Sequence, residues 1–390
     1  MTTLISFLGK NRRDPVHGYQ RAIYEFPDGA QVKTAFFGAA LVQRLKPDRT
    51  LLLGTAGSMW DALDFDPDAP EWAELVDATE QASVDQGLLD RVSLRAREAM
   101  PGAELVLIPY GRDEAAQLDL LANLAARVGQ GEQVVLDITH GFRHLPLLAL
   151  VAARYLSHVR QAVVTDIYYG ALEMTANGVT PVLKLDGLLR MLDWVEALAA
   201  HDASGNYGVF APLLVRDGLK PEAASRLESA AYLERVTNVS DARAIVTPLL
   251  DDIARLGGPT GLFKEQLAQR LAWARKPDRE SRELALHLAY LARKDFLRAA
   301  IYLQESAISA ACSRLKLDPG AHGQREEARE SLKANPGFRS LSDIRNMLAH
   351  GTVGGDSGRS RSAVAATASA GALAAKLAEL RVLLEAQRKG

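Results

Sequence analysis

Two short stretches of this chain gather side chains that can do chemistry. The first is Asp137-Ile138-Thr139-His140-Gly141-Phe142-Arg143-His144, entered by the apolar run Val134-Val135-Leu136 and followed by Leu145-Pro146-Leu147-Leu148-Ala149-Leu150-Val151. Pro146 fits the first turn of a helix, where its missing N–H costs little, so the pattern predicts strand, turn, helix. A hydroxyl, two imidazoles, a guanidinium and a glycine beside the open N–H groups of a helix start suit an anion, above all a phosphate. The same residues also have plainer readings: Thr139 as a helix cap, Gly141 as a tight turn, Arg143 as a solvated charge. His140 and His144, four apart, could share a helix face and hold a metal. Support for that is weak, since one carboxylate lies upstream and no cysteine is near.

The second stretch is Leu341-Ser342-Asp343-Ile344-Arg345-Asn346-Met347-Leu348-Ala349-His350-Gly351. Ser342 or Asp343 can start a helix and Gly351 can end one. At about 100° per residue, Arg345 and His350 stand about 140° apart on an ideal helix. They converge only if His350 sits where the helix ends, or if a second copy of the pair faces the first. The plain reading is a histidine favoured by the helix macrodipole and a solvated arginine. The functional reading is RNA cleavage. RNA carries its own nucleophile, the 2′-OH, so the protein must move protons near neutral pH and stabilise extra negative charge on phosphorus. Histidine, with an unperturbed pKa of ~6.5, suits the first task, and arginine, planar and always charged, the second. No metal is needed for this, and no convincing acidic metal cluster appears in this half of the sequence.

The elements that must position the first stretch alternate in type. Leu4 to Leu8 reads as a buried strand ending at Gly9-Lys10. Thr50 to Leu53 enters a second turn, Gly54-Thr55-Ala56-Gly57-Ser58-Met59-Trp60, whose glycines admit close backbone approach and whose Thr55 and Ser58 offer hydroxyls. It is not a P-loop, because no GKS or GKT follows, nor the dinucleotide fingerprint, because the glycine spacing differs. Glu104 to Pro109, Val134 to Asp137 and Ala162 to Gly170 complete five strands. Helices are predicted over Phe37 to Leu45, Trp72 to about Met100, Asp113 to Val128 and Leu145 to Val159. Pro27-Asp28-Gly29 predicts a hairpin between Tyr19 to Phe26 and Gln31 to Phe36, and Asn177-Gly178 turns the fifth strand into an edge strand over Thr180 to Leu185. Asp64 to Asp68 is an acidic loop that fits no EF-hand. The result is an α/β domain on a mostly parallel sheet with edge hairpins, its ligand turns at the carboxyl ends of strands.

After Asp186 no strand pattern follows, and the rest reads as an all-α domain. The expected division is 1–186 and 187–390, the second part including a helical linker region about 204–276. Gly351 to Ser362 reads as a Gly/Ser linker. Val364 to Gln387 reads as one final helix with an apolar stripe of Leu373, Leu377, Leu380 and Leu384.

Composition sets limits on all this. At 390 residues the chain has room for two or three domains. Hydrophobic residues at 48% and charged residues at 24% are ordinary for a soluble protein. A net charge of −2 leaves no global basic footprint, so any nucleic acid must be bound locally. The single Cys312 excludes an internal disulfide and a thiolate zinc site and fits a reducing cytoplasm. Neither a signal-like N-terminus nor a charge-free membrane-length run is present, so a cytoplasmic protein without a membrane segment is expected.

Asp137-Ile138-Thr139-His140-Gly141 resembles the DxTHG motif of CRISPR-associated proteins. Arg345-Asn346-Met347-Leu348-Ala349-His350 resembles the RNxxxH signature of HEPN ribonucleases. The order is similar too: a CRISPR-associated Rossmann-fold (CARF) domain first and a helical HEPN domain last. The resemblance spans nearly the whole chain, although about 204–276 carries no such motif. It implies an ancillary effector of type III CRISPR systems: a Rossmann-like sensor domain, an endoribonuclease domain, and a homodimer or higher even oligomer. A cyclic oligoadenylate, more commonly the tetramer than the hexamer, would bind across two CARF domains and act as allosteric activator; no cofactor and no metal are implied. Its implied contacts are Gly9, Lys10, Gly54, Thr55, Gly57, Ser58, Met59, Trp60, Thr139, His140, Gly141, Phe142 and Arg143. Single-stranded RNA would be cut at a composite site of Arg345, Asn346 and His350 from two chains. Arg345 would stabilise the phosphorane, His350 would transfer a proton or position the 2′-OH, and Asn346 would orient them. Two alternatives stand beside this: a sensor or regulator whose HEPN domain is inactive, and a CARF domain that also degrades its ring. A dehydrogenase or ATPase is set aside, because neither phosphate fingerprint is present.

Overall fold

The computed structural model describes residues 1–10, 13–14, 18–63, 69–100, 102–142, 144–351 and 358–386. Contacts divide the chain into two units, Met1–Leu189 and Arg190–Gly390. Arg143 and the acidic loop 64–68 lie outside the described residues.

In chain order the first unit contains β1 (Thr2–Leu8), two short strands β2 (Arg13–Asp14) and β3 (Gly18–Tyr19), β4 (Ala22–Glu25), β5 (Gln31–Thr34), α1 (Phe37–Leu45) and β6 (Arg49–Gly54). There follow α2 (Pro70–Glu80), α3 (Gln86–Ala99), β7 (Ala103–Leu107), α4 (Glu114–Arg127), β8 (Gln133–Asp137), α5 (Leu145–Val159), β9 (Val163–Gly170) and β10 (Val179–Lys184). The main sheet has eight strands in the order β5-β4-β10-β9-β8-β1-β6-β7. β9, β8, β1, β6 and β7 are mutually parallel. The turns after β1, β6 and β8 therefore emerge at one end of the sheet.

Alternation explains the two covered faces. Ile5 and Phe7 of β1, with Leu51, Leu53, Val134 and Leu136, pack against Leu120 and Leu124 of α4 and Leu145, Ala149 and Leu156 of α5. Leu8, Leu52 and Leu105 point the other way, onto Trp60, Leu75, Leu89 and Val92, while Leu4 and Val135 meet Phe37 and Leu41 of α1. A sheet buried on both faces tolerates these unbroken apolar runs.

Four expectations need correction. The strand after Asn177-Gly178 is not at the edge: β10 pairs with β9 on one side and with β4 on the other, and β5 is the outer strand. Sequence-local turns could not show that the early β4–β5 hairpin would add beyond β10. The helix expected over Trp72 to Met100 is two helices. Ala82 has φ +53°, and the Asp85 carboxylate accepts the Leu88 N–H at 2.8 Å as a new N-cap. The final helix is likewise broken, into α15 (Gly358–Thr367) and α16 (Ala370–Ala386), where Ser369 Oγ accepts the Ala372 N–H. Of the expected linker, 352–357 lies outside the described residues and 358–362 belongs to α15.

The second unit is helical. Its elements are α6 (Asp186–Ser204) beyond its first turn, α7 (Ala211–Arg216), α8 (Pro221–Arg235), α9 (Val239–Ala254), α10 (Gly258–Arg270), α11 (Arg279–Ala292), α12 (Phe296–Leu315), α13 (His322–Leu332) and α14 (Pro336–His350), ahead of α15 and α16. One hydrophobic cluster runs from Trp194 to Leu384, with Phe210, Leu227, Val246 and Trp273 in it beside Tyr302, Ile344 and Leu377. The region about 204–276 thus shares the core of the helical unit. Buried Glu234 of α8 ties it in further, accepting the Tyr290 and Tyr302 hydroxyls. Burial pushes its carboxyl up to about 7, against those two hydrogen bonds.

Candidate functional site

At the carboxyl end of the parallel strands, backbone meets backbone. A Cβ on Gly9 would lie 2.4 Å from the Gly141 nitrogen, so the turns after β1 and β8 can touch only because residue 9 is glycine. The turn after β6 is knitted to the same place. Met59 N–H donates to the Gly9 carbonyl at 2.8 Å. Ser58 Oγ accepts the Thr55 N–H at 2.9 Å and donates to the Leu8 carbonyl at 2.8 Å. Trp60 donates its indole N–H to the Thr55 carbonyl at 2.9 Å. Thr55, Ser58, Met59 and Trp60 are all buried. Their side chains shape the turn, and Lys10 is the residue there that stands exposed. Buried Gly54 abuts the Trp60 ring, and Gly57 faces the Tyr110 hydroxyl across a gap its missing Cβ leaves open.

The turn after β8 begins at a buried carboxylate. Asp137 accepts from Ser6 Oγ at 2.5 Å, its register partner on β1, and from the Thr139 N–H at 2.9 Å. Burial pushes it up to about 6, and those hydrogen bonds oppose the shift. Thr139 is not a helix cap: its hydroxyl accepts the Gly170 N–H at 2.8 Å and joins β8 to the end of β9. His140 Nε2 accepts the Phe37 N–H at 3.2 Å. Its imidazole is 8% exposed, and burial lowers it to about 4, so it is neutral at physiological pH. His144 Nε2 instead pairs with the Tyr110 carbonyl at 3.0 Å. The two imidazoles therefore serve different partners and do not converge as metal ligands would.

Among the described residues, this end of the sheet offers outward Lys10, exposed Gly141 and an aromatic group. Phe142 is 43% exposed. It lies near-parallel to His144 (5.9 Å, 20°) and tilted on Tyr110 (5.7 Å, 55°), while the Arg112 guanidinium sits 5.0 Å from the Tyr110 ring centre. Tyr110 and Arg112, in the loop after β7, carry no sequence signal beyond a Pro-Tyr-Gly turn and went unnoticed there. Close backbone approach, fixed cations and aromatic faces can together bind phosphates and stack bases.

In the second unit α14 presents the other set. Asn335, not Ser342 or Asp343, caps it, accepting the Phe338 N–H at 3.1 Å with Pro336 in the first turn. Gly351, left-handed at φ +62°, ends it and donates to the Met347 carbonyl at 2.8 Å. Phe338, Leu341 and Ile344 are buried on one face. Asn346 and His350 are exposed, and neither makes a side-chain hydrogen bond to a described residue. Because His350 is the last helical residue, the angular gap to Arg345 persists within one chain. Gln304 of α12, 4% exposed, was missed in the sequence: it donates to Ser342 Oγ at 3.0 Å and accepts the Arg345 Nε–H at 3.2 Å. It fixes the direction of that guanidinium.

Residues 3–172 match the model of the CARF domain of the CRISPR system endoribonuclease Csx1. The chain is also 24% identical, over 382 aligned residues, to "CRISPR-associated protein MJ1674" of Methanocaldococcus jannaschii; the match covers 86% of this chain and 59% of that relative. The chain thus spans less than two thirds of the relative's length.

Proposed function

From the match of residues 3–172 to a CARF-domain model, we propose that the chain is a CRISPR-associated, metal-independent endoribonuclease, switched on by a cyclic oligoadenylate in type III CRISPR defence. The observation that carries the catalytic half is the end of α14. Arg345 is aimed by Gln304, while Asn346 and His350 stand open to solvent. Such groups suit a site completed by the same groups of a second chain, with the RNA phosphate between them.

The reaction needs no outside nucleophile. The 2′-oxygen attacks the adjacent phosphorus and loses its proton, the bond from phosphorus to the 5′-oxygen breaks, and that oxygen gains a proton. A 2′,3′-cyclic phosphate and a 5′-hydroxyl result. His350 moves one of these protons, and Arg345 neutralises the phosphorane with fixed donors.

Pairing of chains is supported by α5, which leaves the described turn at His144. Leu147, Val151, Tyr155 and Val159 follow at four-residue spacing and are between 36% and 69% exposed. This apolar ridge, uncovered among the described residues, is of a kind that a second copy of the same helix could cover across a two-fold axis. A ring bound across that axis would contact Lys10, Gly141 and Phe142 from both chains. It activates only to the extent that it binds the cleaving dimer better than the resting one. The ring-degrading alternative is less well supported, because neutral, buried His140 already has its Nε2 engaged.

The test is cleavage of a fluorogenic single-stranded RNA in EDTA, without activator and with cyclic tri-, tetra- or hexa-adenylate, for wild type and His350→Ala. Activation by one ring and a loss of about 10³-fold in the variant are expected. A protein that binds a ring but cuts no RNA would instead be a sensor with a silent helical domain.

A further inference from the structure

The face of α14 that carries Asn346 and His350 continues toward the start of the helix. At about 100° per residue, Arg339, Asp343, Asn346 and His350 fall within about 60° of one another, while Arg345 points about 100° or more away. Along the axis Arg339 precedes Asn346 by about 10 Å and His350 by about 16 Å. Beside this first stretch lies a cavity of about 220 Å³ between α14 and α15. Pro336, Arg339, Ser340 and Asp343 line it from α14, and Ser362 and Ala363 from α15.

The cavity is rich in unused donors. Arg339 is exposed, and its guanidinium makes no ion pair or hydrogen bond with a described residue. Arg216 and Arg255, also exposed on helices of this unit, hold Asp193 and Asp252 instead. The hydroxyls of Ser340 and Ser362 have no partner among the described residues either. Asp343 supplies the carboxylate of the lining, and that group is already engaged. A planar guanidinium flanked by two hydroxyls suits a phosphate, which offers acceptors only. The volume is below the ~300 Å³ at which sites begin to enclose a whole drug-sized ligand. It therefore takes one phosphate group rather than a nucleotide.

We infer that Arg339, with Ser340 and Ser362, forms a phosphate subsite for the substrate RNA, set back along α14 from the bond that is cut. This rests on the reading above that the end of α14 cleaves RNA, and it adds how the strand is held. In two chains related by a two-fold axis, the two subsites flank the composite centre. The strand has no such symmetry, so one subsite holds a phosphate on the 5′ side of the cut and the other a phosphate on the 3′ side.

The experiment measures kcat, KM and the salt dependence of KM for a fluorescein-labelled single-stranded RNA of mixed sequence, with the full chain and its activating ring. Wild type, Arg339→Ala and Arg339→Lys are compared, with thermal melts to show that each folds; alanine keeps the helix, being its best former. Arg339→Ala should raise KM about tenfold, the worth of one charge-assisted contact, and change kcat by less than about twofold. The slope of log KM against log salt should fall by about one, as one phosphate contact is lost from each chain. Arg339→Lys should restore the slope and only part of the affinity, because a point charge replaces the fork. If wild type cuts RNA and Arg339→Ala keeps both KM and slope, the subsite is wrong and the cleavage reading stands. A fall in kcat with the slope unchanged would also overturn the subsite, since Arg339 would then act through the helix alone. If wild type cuts no RNA with any ring, the cleavage reading fails, and fluorescence anisotropy of the same RNA decides the subsite by itself. Binding about tenfold weaker in Arg339→Ala, with a smaller salt slope, would support it; equal or absent binding would overturn it.

Discussion

At the carboxyl end of the sheet, Ser58, Trp60, Thr139 and His140 each have a protein partner within 3.2 Å. At the end of α14, Asn346 and His350 have none among the described residues. The first region's turns are locked to one another within one chain, so each copy would present a preformed half of the proposed ring site. The second is left open, with one side chain aimed and two free. A sensing surface gains from such rigidity, because little ordering cost then falls on the ligand. A site shared between copies cannot be completed in one, so its activity can be set by how the copies meet.

The contrast can be broken at either end. The largest effect is expected from Gly9→Val, which drives a side chain into the Gly141 backbone. Ring affinity, measured by titration, should fall about a hundredfold or more, while the melting of the helical unit stays unchanged. Loss of RNA cleavage at saturating ring would mean that the turn does more than bind. Val151→Asp places a charge on the exposed ridge of α5. If chains pair there as proposed, sedimentation should show wild type as a dimer and the variant dissociated at micromolar protein, with specific activity falling as protein is diluted; a dimer unaffected by the variant would move the interface elsewhere.

Gln304→Leu sharpens the other side. It frees Arg345 without removing it, so kcat should drop about tenfold with KM for RNA little changed. A matched loss of thermal stability with no change in kcat would make Gln304 merely structural.

The smallest effect concerns pH. In the folded state Asp137 keeps its proton to about 6 and the unfolded chain to 3.8, so its contribution to stability falls as pH rises through that interval. His140 behaves oppositely. The unfolded chain protonates at 6.5 and the folded one only near 4, so its contribution is lost as pH falls. Denaturant midpoints between pH 4 and 7 should therefore change slope in opposite directions in Asp137→Asn and His140→Gln. Parallel curves would show that neither group titrates as its burial requires.

The alternating four- and three-residue spacing of Leu373, Leu377, Leu380 and Leu384 marked a buried helix face, and all four are buried. Asp113 was legible as a cap because capping is a contact of three residues, here to the Ala116 N–H. The unbroken apolar runs of β1, β6 and β8 announced a sheet covered on both sides. Breaks at Asp85 and Ser369 were missed, because the helical periodicity continues across them.

By itself the sequence determined the order of elements, the turns at strand ends and the residue types able to handle phosphate and protons, since all of these depend on neighbours a few positions away. Only the tertiary structure decided where β10 lies, that His140 is held by the Phe37 N–H, that Tyr110 joins the ligand turns, and that Gln304 aims Arg345. Each of those rests on contacts between residues 30 or more positions apart. Such contacts come from the packing of apolar faces and the pairing of buried polar groups, and no local spacing encodes them.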